Sequence, residues 1–212
     1  MDKYKKKRKR GKQSREVSKK TKETVLKAAL KIFAREDFYN AKLREIADLA
    51  GTTHSLITHH FGSKYDLYKA VLDYGLDIHS ERLKKIVRLH KSDDPVELFK
   101  KLIASYVTTV AKNPEVSKII MHNNSTNSLL YDYLQERNQL HMIVEPVFEK
   151  VQMCGYFKDF THNDFLVYLH ALVETPIAVI DRTNKLLGVD ILSRKGIALH
   201  TERVLNFLFP LC

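Results

Sequence analysis

The run LREIADLAGTTHSLITHHF at residues 43–61 constrains the fold of this chain more than any other feature. It reads as two short helices, 42–50 and 54–60, joined by a tight turn at Gly51. Ala47 is small where the two helices would cross, so their backbones can approach closely. Gly51, four residues on, supplies the positive φ that such a turn needs. Ile57, six residues further, is the β-branched apolar residue that would pin the second helix to the first. Thr53 is placed to cap that second helix, and Ser63 with Asp66 to cap the next one in a capping-box arrangement. Ile46, Leu49 and Phe61 are expected to share a small core with Ile32 and Phe33. Those two belong to a preceding helix, from Thr21 to about Asp37, in which Val25, Ala28, Ala29, Ile32 and Phe33 recur at helical spacing.

The rest of the chain repeats the helical period. A helix beginning at Ser63 continues through Leu67, Val71, Tyr74 and Ile78. Pro95 suits the first turn of another, with Leu98, Leu102, Tyr106 and Val110 on one face. Pro114 opens a short helix, a longer one runs over residues 125–153 with a bend at Pro146, and two more cover 163–181 and 190–209. Residues 38–40 and 182–188 read as connectors. No alternation of period two and no hairpin dipeptide stands out. The expected fold is all-α, with about nine helices.

Charge is informative once it is located. The net charge of +11 is concentrated in residues 1–20, which hold 11 Lys/Arg against 2 Asp/Glu. Residues 21–70 hold 8 against 6, and residues 71–212 hold 17 of each. The first 20 residues offer almost nothing to bury and read as a disordered basic arm, an electrostatic footprint for a polyanion beside a folded module.

Other classes are disfavoured. The two cysteines, Cys154 and Cys212, form neither a disulfide framework nor a zinc motif, and no metal or cofactor is expected. His54, His59 and His60 do not share a helix face as an i, i+4 ligand pair would. The most apolar stretch, 165–180, is interrupted by His170, Glu174 and Pro176 and is too short to span a bilayer. No signal peptide is read at the start, so a cytoplasmic protein without membrane contact is expected. No nucleophile elbow, phosphate-binding Gly loop or HExxH is present, and no enzyme is expected.

Ile46-Ala47-x-x-Ala50-Gly51, His59-His60-Phe61 and Ser63-Lys64-x-x-Leu67, behind a preceding helix, resemble the DNA-binding region of the TetR family of transcriptional regulators. The resemblance covers about residues 21–74. It departs from the usual pattern at Thr58, where the family commonly has Tyr, and at Lys42, Thr52 and Ser55-Leu56. Scaffold positions match better than reading positions.

The resemblance implies three segments: the arm at 1–20, a helix-turn-helix domain at 21–68, and a ligand-binding and dimerisation domain at 69–212. The N-terminal end of the second short helix would face base edges, making His54 and Ser55 the base readers and placing Leu56 near a thymine methyl. Thr53, Thr58 and His59 suit phosphate contacts, with Lys42, Thr52, His60 and Lys64 beside them at the same DNA-binding surface. Lys5, Lys6, Lys7, Arg8, Lys9 and Arg10 of the arm would add contacts to double-stranded DNA. Dimerisation is expected through the last two long helices, by way of Leu166, Leu169, Val173, Ile177 and Ile180 and of Ile197, Val204, Leu205 and Leu208. That would match a palindromic operator. A small-molecule effector of unknown identity would sit among Tyr106, Met121, His122, Tyr133, Phe148 and Met153. The competing expectation is a DNA-anchored protein whose C-terminal half binds another protein. That half would then be closed, lacking a cavity and exposing a large apolar patch.

Overall fold

The computed structural model describes residues 2–91, 93–123, 129–137 and 140–210, with side chains from Glu16 onward. Eleven helices and no strands occur among the described residues. Chain contacts divide them into two units, Met1–Tyr74 and Gly75–Cys212.

In the first unit, α1 (Asp2–Asn40) takes in the arm that the sequence suggested would lack structure. Lys, Arg, Gln and Glu are all good helix formers, so a segment without a core can still continue a helix that has one. The helical path breaks at Asp37 (φ 64, ψ 179), where the carboxylate accepts from Asn40 N at 3.0 Å and from Asn40 Nδ2 at 3.1 Å. α2 (Leu43–Ala50) ends at Gly51 in the left-handed region (φ 62, ψ 38). α3 (His54–Phe61) follows, capped by Thr53, and α4 (Lys64–Leu89) opens on the Ser63–Asp66 pair. The core of this unit is built from Val25, Ala29, Ile32, Phe33, Ile46, Ile57 and Leu67, all buried. Tyr68 closes it, edge-on to Phe33 at 4.7 Å. Leu49 is 53% exposed and does not belong to the core, contrary to expectation. Ile46 and Ala47 already occupy the inward face of this short helix, which turns Leu49 outward.

The second unit is organised around α5 (Pro95–Lys112), which buries residues on nearly every side. Asp94 caps it by accepting from Val96 N and Glu97 N, and Pro95 sits in its first turn. α6 (Pro114–Asn123), α7 (Tyr131–Arg137), α8 (Leu140–Met153), α9 (His162–Ala178), α10 (Ile180–Leu187) and α11 (Arg194–Leu208) complete the unit. The start expected near residue 125 lies outside the described residues, and Pro146 is inside α8. Phe99, Phe148 and Phe165 form the centre of the core, with ring centroids 5.0–5.9 Å apart. Of residues 182–188, expected as a loop, 182–187 belong to α10 and Gly188 caps it. Its apolar face is short, but Asp181 in its first turn, Lys185 in its last and a left-handed Gly188 are ordinary helix-end chemistry. Val179 (φ −109, ψ 46) separates it from α9, and the two axes bend by 87°. No single helix among the described residues is long and apolar enough to cross a membrane. At the start of α11 the backbones pack so closely that a Cβ on Gly196 would stand 2.0 Å from the Asp190 carbonyl oxygen.

Candidate nucleic-acid interface

The turn between α2 and α3 is fixed by its own backbone. Gly51 N donates to Asp48 O and Thr52 N to Ala47 O, at 3.2 and 2.9 Å, which satisfies two of the last four carbonyls of α2. Thr53 is extended (φ −110, ψ 151), and its Oγ1 accepts from Leu56 N at 3.2 Å. α3 therefore begins at His54 with its N-terminus in the open. Only Ile57 among its eight residues is buried. His54, Ser55, Thr58 and His59 are exposed, and Leu56 is 36% exposed, leaving part of its side chain available for a partner. An α-helix presenting polar side chains and a free N-terminus suits the width of a DNA major groove.

The flanking residues differ in how free they are. Lys42 is exposed, with extended backbone ahead of α2. Thr52 is half-buried. Thr58 Oγ1 donates back to His54 O at 3.1 Å, leaving its oxygen as an acceptor rather than a phosphate donor. His60 is half-buried, and desolvation, then the neighbouring His59 and Lys22, hold its imidazole below the usual range and favour the neutral ring. Lys64 donates to Tyr39 O at 3.2 Å and lies 4.9 Å over the Phe38 ring. Burial lowers its pKa, with Asp37 acting the other way. Lys64 thus clamps the Asp37 corner as well as carrying charge at the start of α4. Val17, Lys20, Thr21 and Thr24 of α1 border one hollow of about 330 Å³ with Ala50, Gly51, Thr52 and Leu56. The end of the basic arm thereby meets the turn and α3. Lys5, Lys6, Lys7, Arg8, Lys9 and Arg10 lie outside the residues whose side chains are described.

The second unit contains an enclosed polar cluster. A cavity of about 50 Å³ is lined by Leu83, Phe99, Leu102, Ile103, Tyr106, Leu140, Val144, Leu166, Leu169 and His170. The Tyr106 hydroxyl donates to the Glu174 carboxylate in a short hydrogen bond. The His79 and His170 rings flank Tyr106 at 5.9 and 5.8 Å. Desolvation pulls His79 down to about 4, with His170 and Arg82 adding to the effect, and lowers His170 as well. Burial raises the Glu174 carboxyl against the opposing hydrogen bond from Tyr106. Of the residues expected to line a pocket, Tyr106 does so. Phe148 is fully buried in the aromatic core, Met121 and His122 are exposed, Tyr133 is half-buried, and Met153 is 85% exposed. The cluster's sequence trace was the pair His170 and Glu174, four residues apart within the most apolar stretch of the chain.

The faces expected to dimerise are largely used within the subunit. Leu169, Val173, Ile177 and Val204 are buried in the core of their own unit, where His200 on α11 contacts Val173 O on α9 at 3.2 Å. Leu166, Ile180, Ile197, Leu205 and Leu208 are half-buried. The apolar residues left exposed on these elements are Val167 and Tyr168 of α9, Leu186 and Leu187 of α10, and Phe207 of α11.

Comparison with known proteins bears on both units. Residues 25–71 match the family model described as bacterial regulatory proteins, tetR family. The chain is 28% identical to the HTH-type transcriptional repressor NicS of Pseudomonas putida over 143 residues, 66% of each protein. It is 45% identical to the HTH-type transcriptional regulator RutR of Escherichia coli over 74 residues, 35% of this chain and 34% of that one. The alignments thus span just under two thirds of the first relative and about one third of the second. The fold is similar to that of AibR, solved in complex with isovaleryl coenzyme A and operator DNA. The TM-score is 0.71 at 17% identity, covering 91% of this chain and 100% of that one.

Proposed function

From the premise that this chain belongs to the TetR family of transcriptional regulators, we propose that it is a homodimeric repressor that a small-molecule effector releases from a palindromic operator. The observation carrying this reading is α3 itself: one buried anchor, Ile57, beneath a row of outward side chains headed by His54 and Ser55. These two read base edges, while Lys42, Thr53 and His59 meet phosphates and the arm at 1–20 supplies non-specific attraction. Thr58 has spent its proton on the helix backbone and acts only as an acceptor. The dimer forms through the exposed apolar residues of α9, α10 and α11. Two copies then place their α3 helices about 34 Å apart, one turn of DNA.

The effector enters the cavity beside Tyr106 and His170 and shifts the population toward dimers whose spacing no longer fits the operator. The cavity is also why a second half devoted to a protein partner is not favoured, since that alternative calls for a closed unit. The site of action is the cytoplasm, where the operator is.

The test is selection of bound sequences from a genomic fragment library by the purified full chain at two salt concentrations. The expected result is enrichment of an inverted repeat with half-site centres one helical turn apart, with affinity falling steeply as salt rises. Uniform binding without an enriched sequence overturns the proposal.

A further inference from the structure

The cavity in the second unit is unusual in the balance of its polar groups. Its walls are aliphatic and aromatic, and polarity enters only at Tyr106 and His170. Directly behind Tyr106 stands the buried carboxylate of Glu174, which accepts a hydrogen bond from the tyrosine hydroxyl and has no Lys or Arg partner among the described residues. The His79 ring packs against the same tyrosine, and its Nε2 is buried with no hydrogen-bond partner. A carboxylate and two imidazoles kept neutral by burial surround one hydroxyl. The cluster is rich in acceptors, and Arg82, the cation that acts on His79, donates instead to Ser105 Oγ at 2.9 Å.

Resting on the reading that this unit receives an effector, we propose that the cavity takes a small aliphatic amine, its protonated amino group held at Tyr106 and His170 in front of the Glu174 carboxylate and its hydrocarbon body in the apolar pocket. A buried carboxylate without a counter-charge is costly, and a cation arriving beside it removes that cost. An ammonium brings three N–H donors and no acceptor, which complements the polar lining: Tyr106 oxygen and the His170 imidazole face the cavity, with the Glu174 carboxylate next in line behind the tyrosine. A carboxylate or phosphate ligand meets like charge at Glu174, which has no Lys or Arg partner among the described residues. The volume sets the size. At roughly 10–15 Å³ for each water-sized centre, 50 Å³ seats about three to five heavy atoms.

Three probes with the same branched four-carbon body separate the alternatives in the full-length protein: isobutylamine, isobutanol and isobutyrate, compared by calorimetry at fixed pH and ionic strength. Isobutylamine is expected to bind about tenfold or more tighter than isobutanol, the increment of a charge-assisted over a neutral hydrogen bond, with isobutyrate weakest. Glu174→Gln should bring the amine down to the affinity of the alcohol and leave the alcohol unchanged. Equal or tighter binding of isobutanol or isobutyrate, no binding of any probe, or an amine affinity indifferent to Glu174→Gln overturns the inference. Should the variant fail to fold, the order of the three probes on the unmodified chain decides alone. DNA selection on the same preparation separates the two levels. Amine preference without sequence-specific DNA binding refutes only the repressor reading, and specific DNA binding without amine preference refutes only this one.

Discussion

Replacing Ile57 by Ala should separate what holds the recognition helix in place from what lets it read DNA. Ile57 is 1% exposed and is the only buried residue of α3. The substitution deletes three buried carbons, worth about 2.4 kcal/mol at ~0.8 kcal/mol each, and the residual cavity brings the loss to about 3 kcal/mol. The contrasting variant is Leu49→Ala. Leu49 lies on the adjacent helix with half its surface already in water, so its loss should be about 1 kcal/mol or less. Urea unfolding of the full chain, followed by far-UV circular dichroism, measures both. A small unit with about 5 kcal/mol of stability would retain ~2 kcal/mol in Ile57→Ala and remain more than nine-tenths folded. Operator affinity at 25 °C should therefore change little, and the affinity should collapse on modest heating. His54→Ala should do the reverse, weakening the operator complex by about 1–3 kcal/mol with stability within about 0.5 kcal/mol. The reasoning fails if Ile57→Ala costs under about 1 kcal/mol, or if Leu49→Ala costs as much as Ile57→Ala.

Three further outcomes follow from named geometry. Gly51→Ala places a Cβ in open space but at φ 62, so its cost is conformational alone, about 1–2 kcal/mol in a thermal melt, with Gly51→Asn milder. Gly196→Ala meets the Asp190 carbonyl oxygen and the Ile191 Cα, both backbone. It should destabilise the second unit by about 3 kcal/mol or more, read as a lower midpoint in urea unfolding of the full chain. His79 is neutral above pH 6.5 whether the chain is folded or not; as pH falls from 6.5 toward about 4 the unfolded chain takes up a proton that the folded chain refuses. Urea titrations across that window should show stability falling with pH, about 3 kcal/mol of it from this residue, and His79→Leu should flatten the curve by that amount.

What was legible in the sequence is what local rules dictate. The Ala47, Gly51, Ile57 spacing, the Thr53 cap and the Ser63–Asp66 pair each depend on residues no more than ten apart in the chain, and each appears in the structure. Leu49 was misplaced because an eight-residue helix has room for few inward positions, and which residues take them depends on the helix it packs against. Residues 182–188 were misread because α10 is held by end chemistry more than by an apolar stripe. The apolar faces of α9 and α11 were visible, but periodicity does not say whether the surface covering them belongs to the same subunit. The Tyr106–Glu174 contact joins residues 68 apart. His170 and Glu174 stood out as interruptions, yet the tyrosine that gives them a purpose is fixed only by the packing of α5 on α9.

The single anchor of α3 also sets how such a protein can change over generations. With His54, Ser55, Leu56, Thr58 and His59 all outside the core, each can be replaced without repacking anything beneath it. New operator preferences are then reachable one substitution at a time, through intermediates that all fold. Drift at Ile57 is filtered by stability and drift at its neighbours by binding, so two kinds of selection act on adjacent positions of one short helix.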